Sequence, residues 1–107
     1  MKARPLFRAK LTDEDGDLKE MAVWQVPLDL KHPEGVRYRM SFVPKGAKKP
    51  SVLYHNHHPK GHHKHLRSEE SPYSFSGVPQ LIFDFEKDVL RRKRERNQVP
   101  LKLLLLA

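Results

Sequence analysis

Residues 36–44 read VRYRMSFVP. Val36, Tyr38, Met40 and Phe42 alternate with Arg37, Arg39 and Ser41. A period of two sends apolar side chains to one face and polar ones to the other, so this stretch decides for a sheet with one wet face. Its neighbours agree. Upstream, LDLKHPEG (28–35) reads as a loop, and LKEMAVWQVP (18–27) is apolar on both faces around Met21 to Val26, which predicts a central strand. TDEDGD (12–17) is an acidic turn with Gly16 available for positive φ. KARPLFRAKL (2–11) alternates again, with Ala3, Pro5, Phe7, Ala9 and Leu11 on one side and Arg4, Arg8 and Lys10 on the other. Pro5 cannot donate to a ladder, which assigns this strand to an edge or Pro5 to its start. Downstream, KGAKK (45–49) is a turn and SVLYHN (51–56) a short fourth strand. Sequential strands usually neighbour each other, so the economical arrangement is a four-stranded antiparallel meander.

Residues 57–76 read as a polar loop punctuated by Pro59, Gly61 and Pro72. The period then changes. In SGVPQLIFDFEKDVLRRKRER (76–96), Val78, Leu81, Ile82, Phe85 and Val89 fall at helical spacing, with Phe83 a further candidate for the stripe. Pro79 suits a first turn. Asp84 and Glu86 precede the arginines, the charge order the helix dipole favours. The expected fold is α+β, an antiparallel sheet of about four strands with a C-terminal helix on one face. Its core would combine the helix stripe with Phe7, Trp24, Tyr38, Met40 and Phe42. The tail QVPLKLLLLA (98–107) reads either as an element completing the core or as a partner-binding segment.

The 107 residues suit one domain, and a chain that short buries one modest core. Cysteine is absent, which excludes disulfides and Cys-ligated zinc and favours a cytoplasmic setting. MKARPLFRAK has no apolar core of the kind a secretory signal needs, and no segment reaches the roughly 20 apolar residues of a membrane helix. The net charge of +8 and pI near 9.9 imply a polyanion or an acidic protein as partner. No acidic residue lies between Glu34 and Glu69, whereas Arg37, Arg39, Lys45, Lys48, Lys49, Lys60, Lys64 and Arg67 do. With histidine and asparagine interleaved, that stretch points to nucleic-acid contact. The run RRKRER (91–96) reads equally well as a solvated face.

Residues 54–65, YHNHHPKGHHKH, hold six of the seven histidines. A metal site, an acid–base site and a solvated polar loop are the three readings. His55 and His57 share a face on an extended chain, and His62 and His65 can share one on a turn. Those four are the metal candidates, although the surrounding lysines disfavour a cation and the loop itself offers no carboxylate. For acid–base chemistry, clustered positive charge holds imidazole pKa values down, so some rings are neutral bases at neutral pH. Phosphodiester cleavage needs a base, an acid and cations for developing charge, and His55 to His65 with Lys60, Lys64 and Arg67 supply all three. In RNA the internal 2′-hydroxyl can be the nucleophile.

The stretch YHNHHPKGHHKHLRSEESPYSF (54–75) resembles the TumE-like toxins, small basic proteins of prokaryotic toxin–antitoxin pairs. That family's pattern runs Tyr, Asp, Asn, a few residues, then Lys, Gly, Asp or His, His, Arg, His, and later Glu, Pro, Tyr, x, Phe. The matching positions are Tyr54, Asn56, Lys60, Gly61, His62, His63, His65, Glu70, Tyr73 and Phe75. The opening hairpin and the helix from Pro79 to Leu90 are similar too, so the resemblance spans about residues 2–92. This divides the chain into a single domain (1–92) and a basic, apolar tail (93–107). His55 stands where the pattern has Asp, and Lys64 replaces an arginine, losing the bidentate phosphate fork.

The resemblance implies a toxin that attacks nucleic acid and is neutralised by an antitoxin, often one with a helix-turn-helix domain; it leaves RNA versus DNA open, and RNA is slightly preferred for its internal hydroxyl. The resemblance also leaves open a homodimer or a hetero-oligomer with the antitoxin. On this reading His63 and His65 are the acid–base pair, with His62 beside them and Glu70 orienting a ring. Lys60, Lys64 and Arg67 hold phosphate, Gly61 lets the backbone approach it, and Lys48, Lys49 and Asn56 add contacts. Tyr54 stacks on a base or closes the core, and Tyr73 belongs to the core. No cofactor is required. A non-catalytic basic nucleic-acid-binding module and a His-ligated metal-dependent hydrolase are the alternatives.

Overall fold

In the computed structural model, which describes residues 3–97, each strand pairs with the next in the chain to give one antiparallel sheet. The strands are β1 (Arg4–Thr12), β2 (Leu18–Gln25), β3 (Val36–Val43), β4 (Val52–His55), β5 (His63–Leu66) and β6 (Glu69–Pro72), and α1 (Val78–Asn97) follows. The α+β architecture is as expected, with six strands rather than four. The correction lies within 57–76, where β5 and β6 replace most of the expected polar loop. Neither HKHL nor EESP carries an apolar run. β5 is held by its ladder to β4, with Val52 opposite Leu66 and His55 opposite His63, rather than by its own hydrophobicity.

Strand alternation sorts the sheet into two faces. Met21 lies opposite Met40, Val23 opposite Tyr38, and Met40 opposite Tyr54. These residues, with Phe42 and Val52, are buried against Leu81, Phe85 and Val89 of α1. Each such side chain contributes roughly 1.5–3 kcal/mol of burial. Phe83, considered for the stripe, is 61% exposed. Phe7 and Trp24 are not core residues either. β1 is an edge strand, which leaves Phe7 36% exposed. A bulge between Pro5 and Phe7 pairs Pro5 with Trp24 but Phe7 with Val23, so the two fall on opposite faces instead of sharing one. Trp24 therefore lies on the face away from the helix, where the Arg8 guanidinium sits 5.5 Å from its ring centroid.

Helix α1 starts where Gly77, at φ +117°, lets its carbonyl accept the Leu81 amide at 3.0 Å. The first turn holds no acid, so Asp84 and Glu86 come too late to serve the dipole as expected. Asp84 instead accepts from Tyr73 Oη at 2.6 Å, and Glu86 from Lys19 Nζ at 2.8 Å. Residues 93–97 continue the helix. The basic run is largely engaged within the chain. Lys93 meets Asp13, Asp15 and Asp17 of the β1–β2 turn, and Arg96 meets Asp17. Arg67 and Arg92 share Glu95. The tail segment LKLLLLA lies outside the described residues.

Candidate functional site

The face of the sheet not covered by α1 carries the outward residues of β3, Arg37 and Arg39. The register carries this alternation across to β4 and β5. Arg39 faces His55, which faces His63; Leu53 faces His65, which faces Glu70. The consequence is a cluster of three imidazoles. His55 Nε2 and His65 Nε2 are 3.3 Å apart, and the His55 and His63 ring centroids are 3.9 Å apart.

His63 is the fixed member, only 4% exposed. Its Nδ1–H donates to the Gly61 carbonyl at 2.8 Å, and the left-handed Gly61 (φ +73°) turns that carbonyl toward it. This leaves Nε2 as the free lone pair. It is buried, has no hydrogen-bond partner among the described residues, and lies 3.6 Å from Glu70 Oε1. Glu70 itself binds Lys60 at 3.1 Å, which holds its carboxyl below the usual range. Burial, reinforced by His63, His57, His65 and Arg39, pushes the His55 imidazole down to about 4, so this ring is neutral at physiological pH. His57 is lowered as well, by desolvation and then by Arg37 and Arg39. Its ring lies 4.9 Å from that of His55.

The structure brings together His63, His65, Glu70, Lys60 and Gly61 from the expected set, and separates others. His62 leaves the cluster. It stacks on Tyr38 and Phe75, its Nδ1 is 2.9 Å from Tyr38 Oη, and its Nε2 is 2.6 Å from Glu34. Lys64 lies between His63 and His65 in the strand and so points to the opposite, helix-covered face. It reaches Asp88 at 3.4 Å and lies over the Tyr54 ring. Tyr54 is fully buried there, its hydroxyl donating to Asp88, so it belongs to the core and not to a base-stacking surface. Asn56 is also structural. Its carbonyl oxygen accepts from the Tyr38 amide and its NH₂ donates to the Val36 carbonyl, both at 2.9 Å, which fixes β4 to β3. Arg67, at φ 60°, turns from β5 into β6 and pairs with Glu95. Lys48 and Lys49 are exposed, at the end of β4 opposite His55.

Glu70 sits beyond hydrogen-bond reach of His63, and the Gly61 carbonyl orients the ring instead. Sequence reasoning placed His55 among the metal candidates and in the general histidine set but not in the acid–base pair, and left Arg39 in a general basic stretch. Extending the alternation of β3 across one more strand would have found both. Of the four metal candidates, His55 and His65 converge and His57 and His62 do not. His63 completes the trio, with one ring nitrogen from each residue within 4.8 Å of the others. The acidic trio Asp13, Asp15 and Asp17 also converges, but Lys93 and Arg96 already neutralise it.

The α+β fold thus closes one face of the sheet with a helix and sets three histidines beside arginine on the other. The chain matches the family model described as Toxin TumE over residues 2–93, and it belongs to that family. Membership gives it a toxin role and implies an antitoxin partner. No curated protein and no solved structure matches it. No helix among the described residues is long and apolar enough to cross a membrane.

Proposed function

We propose that this toxin cleaves nucleic acid on its open sheet face, with RNA the preferred substrate. The observation that supports this most is the convergence of His55, His63 and His65 beside Arg39. The cluster sets His55, held neutral by burial, beside two further imidazoles, a side chain that both accepts and donates protons near neutral pH. That set supplies a base and an acid together. His65, partly exposed where His63 is buried, takes the proton from the attacking hydroxyl, and His63 Nε2 is the second centre of the pair. Neutral His55 packs beside His65, with the two Nε2 atoms 3.3 Å apart. Arg39 and Arg37 replace Lys64 and Arg67 as the groups that hold phosphate, because they share the imidazole face. The RNA preference follows from the internal 2′-hydroxyl, which needs only a base, an acid and cations around the phosphate.

The reading includes a cytoplasmic site of action, a helix-turn-helix antitoxin, and assembly as a homodimer or with that antitoxin. It is tested by incubating purified wild type and His65→Gln with RNA and DNA of matched sequence. Fragmented RNA with the wild type, and intact RNA still bound by the variant, is the expected result. Equal cleavage by both proteins removes His65 from the chemistry. Binding without cleavage by either leaves a basic module gripping nucleic acid through charge.

A further inference from the structure

We infer that His55, His63 and His65 form a binding site for a late first-row divalent metal ion of the zinc class, one that competes with proton chemistry on the same rings. The geometry carries the inference. Two nitrogens each about 2.0–2.1 Å from one tetrahedral ion lie about 3.3–3.4 Å apart. His55 Nε2 and His65 Nε2 are 3.3 Å apart. That spacing is long for a good N–H···N hydrogen bond and suits two ligands of one ion. The third ligand is pre-set. Metal-binding histidines usually donate their other ring N–H to a carbonyl or carboxylate, which fixes the tautomer and the ring plane. His63 does this through Nδ1–H to the Gly61 carbonyl, so Nε2 offers its lone pair toward the cluster.

One orphaned atom supports the assignment independently. His63 Nε2 is buried without a hydrogen-bond partner among the described residues. Buried polar groups rarely stay unpaired, and an ion between these rings would give His63 Nε2 its partner. Imidazole-only ligation selects zinc, copper or nickel over magnesium or calcium, which need oxygen ligands. The groups facing the site are mixed in sign. Arg39 and Arg37 oppose a cation, whereas Glu70, 3.6 Å from His63 Nε2, favours one. With three protein ligands, the fourth position opens onto the uncovered sheet face.

An ion on these three lone pairs removes the base from the reaction proposed above. The inhibitory effect rests on that acid–base reading; the binding does not. Co²⁺ titrated into the metal-free full chain tests the site, since four-coordinate Co²⁺ absorbs strongly in the visible and six-coordinate Co²⁺ weakly. The expected result is saturation at one strongly absorbing ion per chain, displaced by Zn²⁺. Affinity should fall by at least about 10–100-fold in His55→Ala and His65→Ala, and should persist in His32→Ala and His58→Ala. Both partly exposed ligand positions are used because His63→Ala risks unfolding, and far-ultraviolet circular dichroism of each metal-free variant checks the fold. A weak six-coordinate spectrum, or the same titration in folded His55→Ala and His65→Ala, overturns the site. RNA cleavage with and without equimolar Zn²⁺ is the second arm. Suppression supports the competition. Stimulation by Zn²⁺ overturns it, and with it the metal-free acid–base reading.

Discussion

Arg96 grips Asp17 with both prongs of its guanidinium, Nη1 to Oδ1 at 2.9 Å and Nη2 to Oδ2 at 2.8 Å. Asp17 is 1% exposed, accepts the Lys45 amide at 2.9 Å, and is also reached by Lys93 at 3.0 Å. One carboxylate thus ties the β1–β2 turn to the β3–β4 turn and to the end of α1. Asp17→Ala should destabilise the protein by about 2 kcal/mol, less than a fully buried pair because Arg96 is partly solvated. A fall in melting temperature of roughly 10 °C is expected. No change on melting would mean the clamp is only a surface pair.

The same carboxylate sets an acid limit. Arg96, the Lys45 amide and Lys93 hold the Asp17 carboxyl well below the usual range against the opposing effect of burial. A group whose pKa is lower folded than unfolded stabilises the fold above its unfolded value, about 3.9, and loses that contribution as pH falls through the folded value. Wild type should therefore lose stability below about pH 4 more steeply than Asp17→Asn. Parallel acid-unfolding curves for the two proteins would refute the linkage.

Asp88 is buried beneath the sheet and accepts from the Tyr54 hydroxyl and from Lys64. Burial, then Asp88, pushes the Tyr54 hydroxyl upward, so it remains a donor at any physiological pH. Asp88→Ala should cost about 2 kcal/mol by stranding both donors. Tyr54→Phe should cost about 1 kcal/mol, and the double variant less than the two together. Strict additivity in chemical denaturation would show that the two groups do not interact.

Arg39 and Lys64 give opposite expectations although both lie in the acid-free stretch. Arg39→Ala should weaken nucleic-acid binding and reduce the slope of log affinity against log salt by about 1. Lys64→Ala should leave that slope unchanged and lower thermal stability, because Lys64 faces the helix. The reverse ranking in a salt titration would place the binding surface on the wrong face of the sheet.

The parts of this fold legible in the sequence were those where apolar residues repeat. VRYRMSFV declares its two faces by alternation, and Leu81, Phe85 and Val89 declare the helix. β5 and β6 were hidden because HKHL and EESP show no apolar alternation, Leu66 being their one aliphatic residue, and a short strand paired within a sheet needs no apolar face of its own. That omission also blurred the site. Read as a loop, His62 to His65 form one undifferentiated group; read as a strand, His63 and His65 separate from Lys64 at once. His62, just outside the strand, turns instead to Tyr38 and Glu34. No pattern in the sequence announces that DEDGD is the receptor for Lys93 and Arg96, since 79 residues separate Asp17 from Arg96.

That separation bears on how the protein is made. The first hairpin leaves the ribosome before the helix, and its acidic turn meets its cations only after nearly all of α1 has been synthesised. Until then the inner face of the sheet, with Tyr54, Met40 and Phe42, has nothing to close against. A chain whose helix has not yet been made thus cannot complete the core beneath the histidine strands, and the surface above it becomes ordered only once α1 is synthesised.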